Sequence, residues 1–132
     1  MEQVEQKHIL VIDDDPDFLD FVTIVLEANG YRVTVASSAP KGLQAMRADP
    51  PDLVIADVMM SLSLDGLVID HQMAQDPVLR DVPLLMVSAI VSETDAIARR
   101  KPETRRYSGL MRKPLGPSVL LQRVADILAC EK

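Results

Sequence analysis

Short runs of consecutive apolar residues recur along the chain, and each run is followed by a segment whose apolar residues have helical spacing. Runs of this kind are typical of strands that are buried on both faces of a parallel sheet. The predicted strands are His8–Ile12, Arg32–Ala36, Leu53–Asp57, Val82–Val87 and Gly109–Arg112. The first predicted helix runs from the capping pair Asp15-Pro16 to the stop signal Asn29-Gly30. The other predicted helices are Ala39–Ala48, Leu67–Asp76, Ser92–Arg100 and Pro117–Cys130.

A strand followed by a helix, repeated along the whole chain, predicts an α/β fold. Continuous apolar strands that alternate with amphipathic helices form parallel sheets with helices on both faces. Because crossovers between parallel strands are right-handed, this order predicts a doubly wound, five-stranded parallel sheet in a three-layer sandwich. The length of 132 residues predicts one domain, residues 1–132, and 48% apolar residues suffice for one sizeable core.

Cysteine usage and the lengths of the apolar segments exclude several classes of protein. The chain has one cysteine, Cys130, so a disulfide framework or a cysteine-based zinc site cannot form within it. The longest apolar run contains Pro83 and Ser88, and it is shorter than the roughly 20 residues that a membrane span needs. The charged N-terminus does not resemble a signal peptide. We therefore expect a cytoplasmic protein that does not enter the membrane.

Charge is distributed unevenly along the chain. The net charge of −6 argues against direct nucleic-acid binding. However, the window from Ala96 to Lys113 contains seven basic residues and one acidic residue, a net charge of +6, which leaves −12 for the rest. Such a basic segment is either a solvated helix face or a docking surface for an acidic partner or an anionic nucleic acid.

Chemically active residues collect where the predicted strands end. Ligands of doubly wound sheets bind beyond the carboxyl ends of the strands. Asp13–Asp15 follow the first predicted strand, and Asp57 ends the third. Ser88 follows the fourth strand and Lys113 follows the fifth. The sequence therefore predicts that carboxylates, a hydroxyl and a lysine amine meet at one edge of the sheet.

These groups together can bind a phosphoryl group and a divalent cation. Clustered carboxylates repel one another, and Mg²⁺ is commonly held by one or two carboxylates plus a phosphate. A lysine amine and a serine hydroxyl can hold phosphoryl oxygens, and a remaining carboxylate can act as the nucleophile that forms an aspartyl phosphate. Taken alone, Asp13–Asp15 could instead be a solvated loop in which Asp15 caps the following helix.

Five motifs, in order along the chain, resemble the receiver domain of two-component response regulators. They occur at nearly the usual spacings of that family and are Ile9–Pro16, Asp52–Met60, Asp65-Gly66, Leu85–Ala89 and Lys113-Pro114. The resemblance implies a (βα)5 flavodoxin-like fold. It also implies a signalling switch that at most catalyses its own phosphorylation and dephosphorylation, and not an enzyme with a separate substrate.

The resemblance implies a metal site and a phosphoacceptor. Asp57 would accept the phosphoryl group. Asp13 and Asp14 would bind Mg²⁺ together with Asp57 and with the backbone carbonyl of Met59. Each of these residues stands at the position that matches the family's motif.

The resemblance further implies a switch and its partners. Ser88 would be the hydroxyl that moves toward the phosphoryl group, and Lys113 would contact the phosphoryl oxygens. The donor would be a histidine kinase or a phosphotransfer protein, and the chain would be a monomer or a phosphorylation-linked dimer. An unidentified protein effector would bind the face formed by the fourth helix, fifth strand and fifth helix, which contains Arg99, Arg100, Arg105, Arg106 and Leu110.

Two departures from the family's pattern are the basis for an alternative to the switch function. Leu110 stands where the family usually has an aromatic residue that moves with the switch hydroxyl. The loop between Asp57 and Asp65 is one residue longer than usual and has Ser61 in place of a common proline. The alternative is a degenerate receiver that acts as a phosphorylation-independent interaction module.

A less favoured alternative is a haloacid-dehalogenase-like phosphatase. Asp13 and Asp15 would then serve as the nucleophile and the acid. That family has threonine or valine two residues after its second aspartate, where this chain has Asp17. It also generally needs a longer chain.

Overall fold

Strands and helices alternate from residue 8 to residue 88 of the chain. The computed structural model describes the backbone of residues 6–57, 65–88, 107–112 and 116–130, and the side chains of residues 6–57, 69, 71–87 and 116–129. The strands are β1 (His8–Ile12), β2 (Arg32–Ala36), β3 (Leu53–Asp57), β4 (Leu84–Ser88) and β5 (Tyr107–Arg112). The helices are α1 (Pro16–Glu27), α2 (Ala39–Ala48), α3 (Asp65–Ala74) and a last helix, Pro117–Cys130. Within these segments, no helix combines the length and the hydropathy needed to cross a membrane.

The strands form one parallel sheet with the order β2-β1-β3-β4-β5. The chain passes from β2 over β1 to reach β3, and this reversal of direction places helices on both faces of the sheet. The predicted α/β class with a parallel sheet is confirmed. The predicted fourth helix, Ser92–Arg100, lies outside the described residues, so the complete fivefold repeat of strand and helix stays a prediction.

Two apolar cores, one on each face of the sheet, account for the continuous apolar character of β1, β3 and β4. Successive residues of a strand point to opposite faces, so both alternating sets of side chains are buried here. Helices α2 and α3 cover the face that carries Leu10, Ile12, Val54, Ala56, Leu84 and Met86. Helix α1 and the last helix cover the face that carries Ile9, Val11, Leu53, Ile55, Leu85 and Val87.

The fourth strand begins later than the sequence predicts. Val82 still belongs to the preceding turn, since its N–H donates to the Leu79 carbonyl at 3.0 Å. Pro83 has no N–H to donate, although its carbonyl accepts from the Val54 N–H at 3.0 Å. The regular ladder therefore starts at Leu84 and continues through Ser88.

The third helix begins and ends two residues earlier than predicted. It covers Asp65–Ala74 instead of Leu67–Asp76. The N–H groups of Gln75 and Asp76 donate to carbonyls three residues back, at 3.2 and 3.1 Å. These tighter turns end the α-helix while the apolar spacing continues.

The ends of α1 are those that the sequence predicts. The Asp15 carboxylate caps the helix by accepting the Asp17 N–H at 3.0 Å, and Pro16 occupies the first turn. At the other end, Gly30 has a φ of +91°, a region that suits glycine because it has no Cβ. The Tyr31 N–H then donates to the Leu26 carbonyl at 3.1 Å, which closes the helix.

Gly42→Ala should destabilise the protein, because α2 lies directly against β1 at this position. A Cβ on Gly42 would lie 2.7 Å from Ile12 Cγ1 and would also overlap Ile12 Cδ1, in a fully buried side chain. Overpacking of this kind costs about 1–3 kcal/mol, and the better helix propensity of alanine offsets up to about 1 kcal/mol. We expect a net loss of about 1–2 kcal/mol in the free energy of unfolding, measured by urea denaturation.

A double-mutant cycle with Ile12→Ala identifies the contact responsible for that loss. The Ile12→Ala substitution removes both crowding atoms, so the double variant should be more stable than the sum of the two single losses predicts. Strict additivity would show that the loss in Gly42→Ala does not come from overlap with Ile12.

Candidate functional site

Asp13 and Asp57 lie side by side at the carboxyl edge of the sheet, where the neighbouring strands β1 and β3 end. Ile12 pairs with Ala56 across β1 and β3, so the next residues, Asp13 and Asp57, emerge together. The Asp13 N–H donates to the Ala36 carbonyl at 3.0 Å, which holds the end of β1 against β2. Asp57 is the last residue of β3 and pairs with Val87 of β4. The positions of both aspartates are therefore set by the sheet and not by a free loop.

The carboxylates of Asp13, Asp14 and Asp57 form one cluster. One oxygen from each residue can be chosen so that all of them lie within 4.8 Å of one another. Asp13 is 0% exposed and Asp57 is 6% exposed, while Asp14 is exposed to solvent. The cluster is thus buried on the side of the sheet and reachable from the side of Asp14.

The donor set of this cluster fits a hard divalent cation. Carboxylates at this spacing repel one another, and the repulsion is stronger for the two that are shielded from water. Mg²⁺ prefers oxygen ligands, and it is usually held by one or two carboxylates with water or phosphate completing the coordination. The chain would hold Mg²⁺ through Asp13, Asp14 and Asp57, and the exposed side leaves room for the remaining ligands.

The structure places only part of the other predicted site residues. Ser88 is the last residue of β4 and pairs with Arg112 of β5, so it lies one position beyond Asp57 along the same edge. The side chain of Ser88 lies outside the described residues, as do Lys113, which follows Arg112 directly, and Met59. Their predicted roles stay predictions.

The proposed output face also falls largely outside the described part of the chain. Leu110 is placed in β5, where its backbone pairs with Met86, but its side chain is not among those described. The described residues do not include the four arginines of this face, Arg99, Arg100, Arg105 and Arg106.

Asp15 is a helix cap that also contacts the cluster through its backbone. Its side chain accepts the Asp17 N–H, as the capping interpretation predicts. Its own N–H donates to Asp13 Oδ1 at 2.9 Å, a contact that the sequence analysis did not predict. A signal for it was present, because aspartate side chains commonly accept the N–H two residues later. A phosphatase that uses Asp15 as its acid would need the carboxylate that here caps α1.

Comparison with known proteins shows the family of this chain. The family model described as the response regulator receiver domain matches residues 9–125. The chain is 29% identical over 121 residues to the protein PilH of Pseudomonas aeruginosa, covering 92% of this chain and 97% of PilH. It is 33% identical over 122 residues to the alkaline phosphatase synthesis transcriptional regulatory protein PhoP of Bacillus subtilis, covering 92% of this chain. The match spans only 48% of PhoP.

Solved structures give the same fold. A putative response regulator from Chloroflexus aurantiacus superposes with a TM-score of 0.82 at 30% identity, covering 95% of this chain and 99% of the other. The chemotaxis response regulator CheY4 of Vibrio cholerae has a TM-score of 0.81 at 21% identity, covering 93% of this chain and 99% of that protein. The second similarity concerns the fold alone.

Proposed function

The chain belongs to the response regulator receiver domain family, and on this basis we propose that it is a phosphorylation-dependent switch with Asp57 as the phosphoacceptor. Receiver domains are signalling switches of two-component systems and not enzymes in the usual sense. We also propose that residues 1–132 form a single domain with the complete (βα)5 flavodoxin-like fold. Phosphorylation shifts an equilibrium between two conformations of this domain.

The observation that carries the proposal is the cluster of Asp13, Asp14 and Asp57 at the ends of two adjacent strands. Asp13 and Asp14 would hold Mg²⁺ together with Asp57 and the Met59 carbonyl, and the ion would supply positive charge against the carboxylates and the phosphoryl group. Because Asp57 ends the buried strand β3, its backbone position beside Asp13 is fixed by the sheet, and its carboxylate belongs to the cluster.

The transfer step moves one phosphoryl group from the donor to this chain. A carboxylate oxygen of Asp57 attacks the phosphorus atom, and an oxygen–phosphorus bond forms. The bond from phosphorus to the donor histidine breaks, and its electron pair stays on the imidazole nitrogen. Lys113 holds the phosphoryl oxygens through its positive charge, and Ser88 donates a hydrogen bond to the same group.

The proposed partners follow from the same family and from the distribution of charge. A histidine kinase or phosphotransfer protein is the donor. A protein effector binds the output face, to which we assign Arg99, Arg100, Arg105, Arg106 and Leu110, and the domain acts as a monomer or a phosphorylation-linked dimer. Direct nucleic-acid binding is disfavoured by the net charge of −6. The proposed location is the cytoplasm.

Intact mass spectrometry after incubation with Mg²⁺ and a small phosphodonor tests the proposal. We expect wild type to gain one phosphoryl group, and we expect no gain in the Asp57→Asn variant or when Mg²⁺ is chelated. Asp57→Asn keeps the size of the side chain and removes the nucleophilic carboxylate. Circular dichroism with a cooperative thermal transition serves as the folding control for the variant.

A wild-type protein that gains no phosphoryl group would contradict the proposal. That result would instead favour a degenerate receiver that binds its partner without phosphorylation, an alternative suggested by Leu110. Equal phosphorylation of wild type and Asp57→Asn would show that the phosphoacceptor is a different residue.

A further inference from the structure

We propose that Asp15 is a positioning residue for Mg²⁺ binding: its backbone N–H holds the Asp13 carboxylate, and its side-chain cap holds that N–H in place. The inference rests on the metal site in the proposed function. Asp15 itself does not belong to the carboxylate cluster of Asp13, Asp14 and Asp57. Its effect on the metal would therefore be exerted through Asp13.

Three hydrogen bonds join the helix to the cluster through this residue. The Asp15 N–H donates to Asp13 Oδ1 at 2.9 Å. The Asp15 carboxylate accepts the Asp17 N–H at 3.0 Å, and its carbonyl accepts the Leu19 N–H at 3.1 Å. Asp15 is thereby bonded to Asp13 on one side and to the first turn of α1 on the other.

The backbone of Asp15 is restrained from both directions along the chain. Its φ and ψ are −95° and 108°, an extended conformation. A following proline disfavours the helical conformation at the preceding residue, so Pro16 supports this geometry. On the other side, α1 is anchored in the core by Phe18, Val22 and Leu26. The orientation of the Asp15 N–H is therefore coupled to a helix whose apolar face packs in the core.

A hydrogen bond to a metal ligand can fix the orientation of that ligand in the site. Groups that hydrogen-bond to metal ligands fix the ligands' geometry, and their removal typically lowers metal affinity about 10- to 100-fold. Asp13 is the most buried carboxylate of the cluster, at 0% exposed. Loss of the cap would let the first turn of α1 fray, and the Asp13 side chain would lose a fixed donor.

Two substitutions of Asp15 separate the cap from the charge. Asp15→Ala removes both, whereas Asp15→Asn removes the charge and keeps a side-chain oxygen that caps helices about as well as aspartate. A matched control is Ser38→Ala, which removes the cap of α2, where Ser38 Oγ accepts the Lys41 N–H at 3.3 Å. Ser38 also precedes a helix at the carboxyl edge, but its hydrogen bond goes to its own helix and not to the cluster.

The Mg²⁺ dissociation constant of the full chain, measured by titration calorimetry at physiological ionic strength, is the deciding quantity. We expect Asp15→Ala to weaken Mg²⁺ binding about tenfold. Asp15→Asn should stay within about threefold of wild type, because the cap remains and the lost charge is exposed to water, which weakens its effect on the cluster. Ser38→Ala should lose stability in urea without a change in Mg²⁺ affinity.

Equal weakening in Asp15→Ala and Asp15→Asn would overturn the inference in favour of a direct effect of charge. Unchanged affinity in Asp15→Ala, or weakening in Ser38→Ala as large as in Asp15→Ala, would overturn it as well. The proposed function has a separate readout. Mg²⁺ binding with the expected order of variants but without phosphorylation of Asp57 would support the positioning role and contradict the switch.

Discussion

Asp13→Asn should abolish the stabilisation of the protein by Mg²⁺ and reduce phosphorylation by more than about 100-fold, since even indirect contacts to metal ligands are worth 10- to 100-fold. At a Mg²⁺ concentration about 100 times the dissociation constant, binding should stabilise folded wild type by about 2.7 kcal/mol. Asparagine keeps the oxygen that accepts the Asp15 N–H, so the change isolates the charge of one buried ligand.

The measurement is urea denaturation with and without Mg²⁺, combined with the rate of phosphoryl incorporation. Asp17→Asn is the matched control, since Asp17 is an exposed aspartate in the first turn of α1 that lies outside the cluster. Its response to Mg²⁺ should equal that of wild type. If Asp13→Asn keeps half or more of the wild-type response, Asp13 is not a ligand of the ion.

Ile55→Ala should lower the free energy of unfolding by about 3–4 kcal/mol, within the usual range for truncation of a buried isoleucine. Ile55 lies in the middle of β3, is 0% exposed and has strand neighbours on both sides, Val11 and Leu85. Its side chain packs in the core shared with α1 and the last helix, and such close-packed surroundings relax only in part, so a cavity remains.

Ile24→Ala is the control, because the same atoms are removed from a side chain that is 68% exposed on α1. Its effect should stay within about 0.5 kcal/mol, and alanine's helix propensity favours stabilisation. Both values come from urea denaturation midpoints with a common m-value. Similar losses in the two variants would show that β3 is not central to the packing of the folded state.

The elements of the fold were predictable because the signals for them are local. The bounds of β1, β2, β3, α2 and the last helix agree with those read from apolar spacing. The cap at Asp15 and the stop at Gly30 also agree, since capping involves residues within one or two turns. The predicted start of β4 at Val82 was wrong, because Val82 fits the apolar pattern of a strand while its N–H donates to a carbonyl of the preceding turn.

The candidate site was predictable in composition but not in geometry. Asp13, Asp14 and Asp57 were identified from their places after predicted strands and from a family resemblance. Nothing in the residues themselves shows that β1 and β3 are neighbours. The hydrogen bond from the Asp15 N–H to Asp13 likewise depends on the conformation at the end of β1.

The sequence by itself determined the extent of β1, β2, β3, α1, α2 and the last helix, and which acidic residues stand at strand ends. These properties depend on interactions among residues that are close along the chain. Only the tertiary structure decided the strand order β2-β1-β3-β4-β5, the pairing of Ile12 with Ala56, and the resulting cluster of carboxylates within 4.8 Å. Those features arise from packing between segments that are distant in sequence, where two apolar faces and parallel hydrogen-bond ladders must be satisfied together.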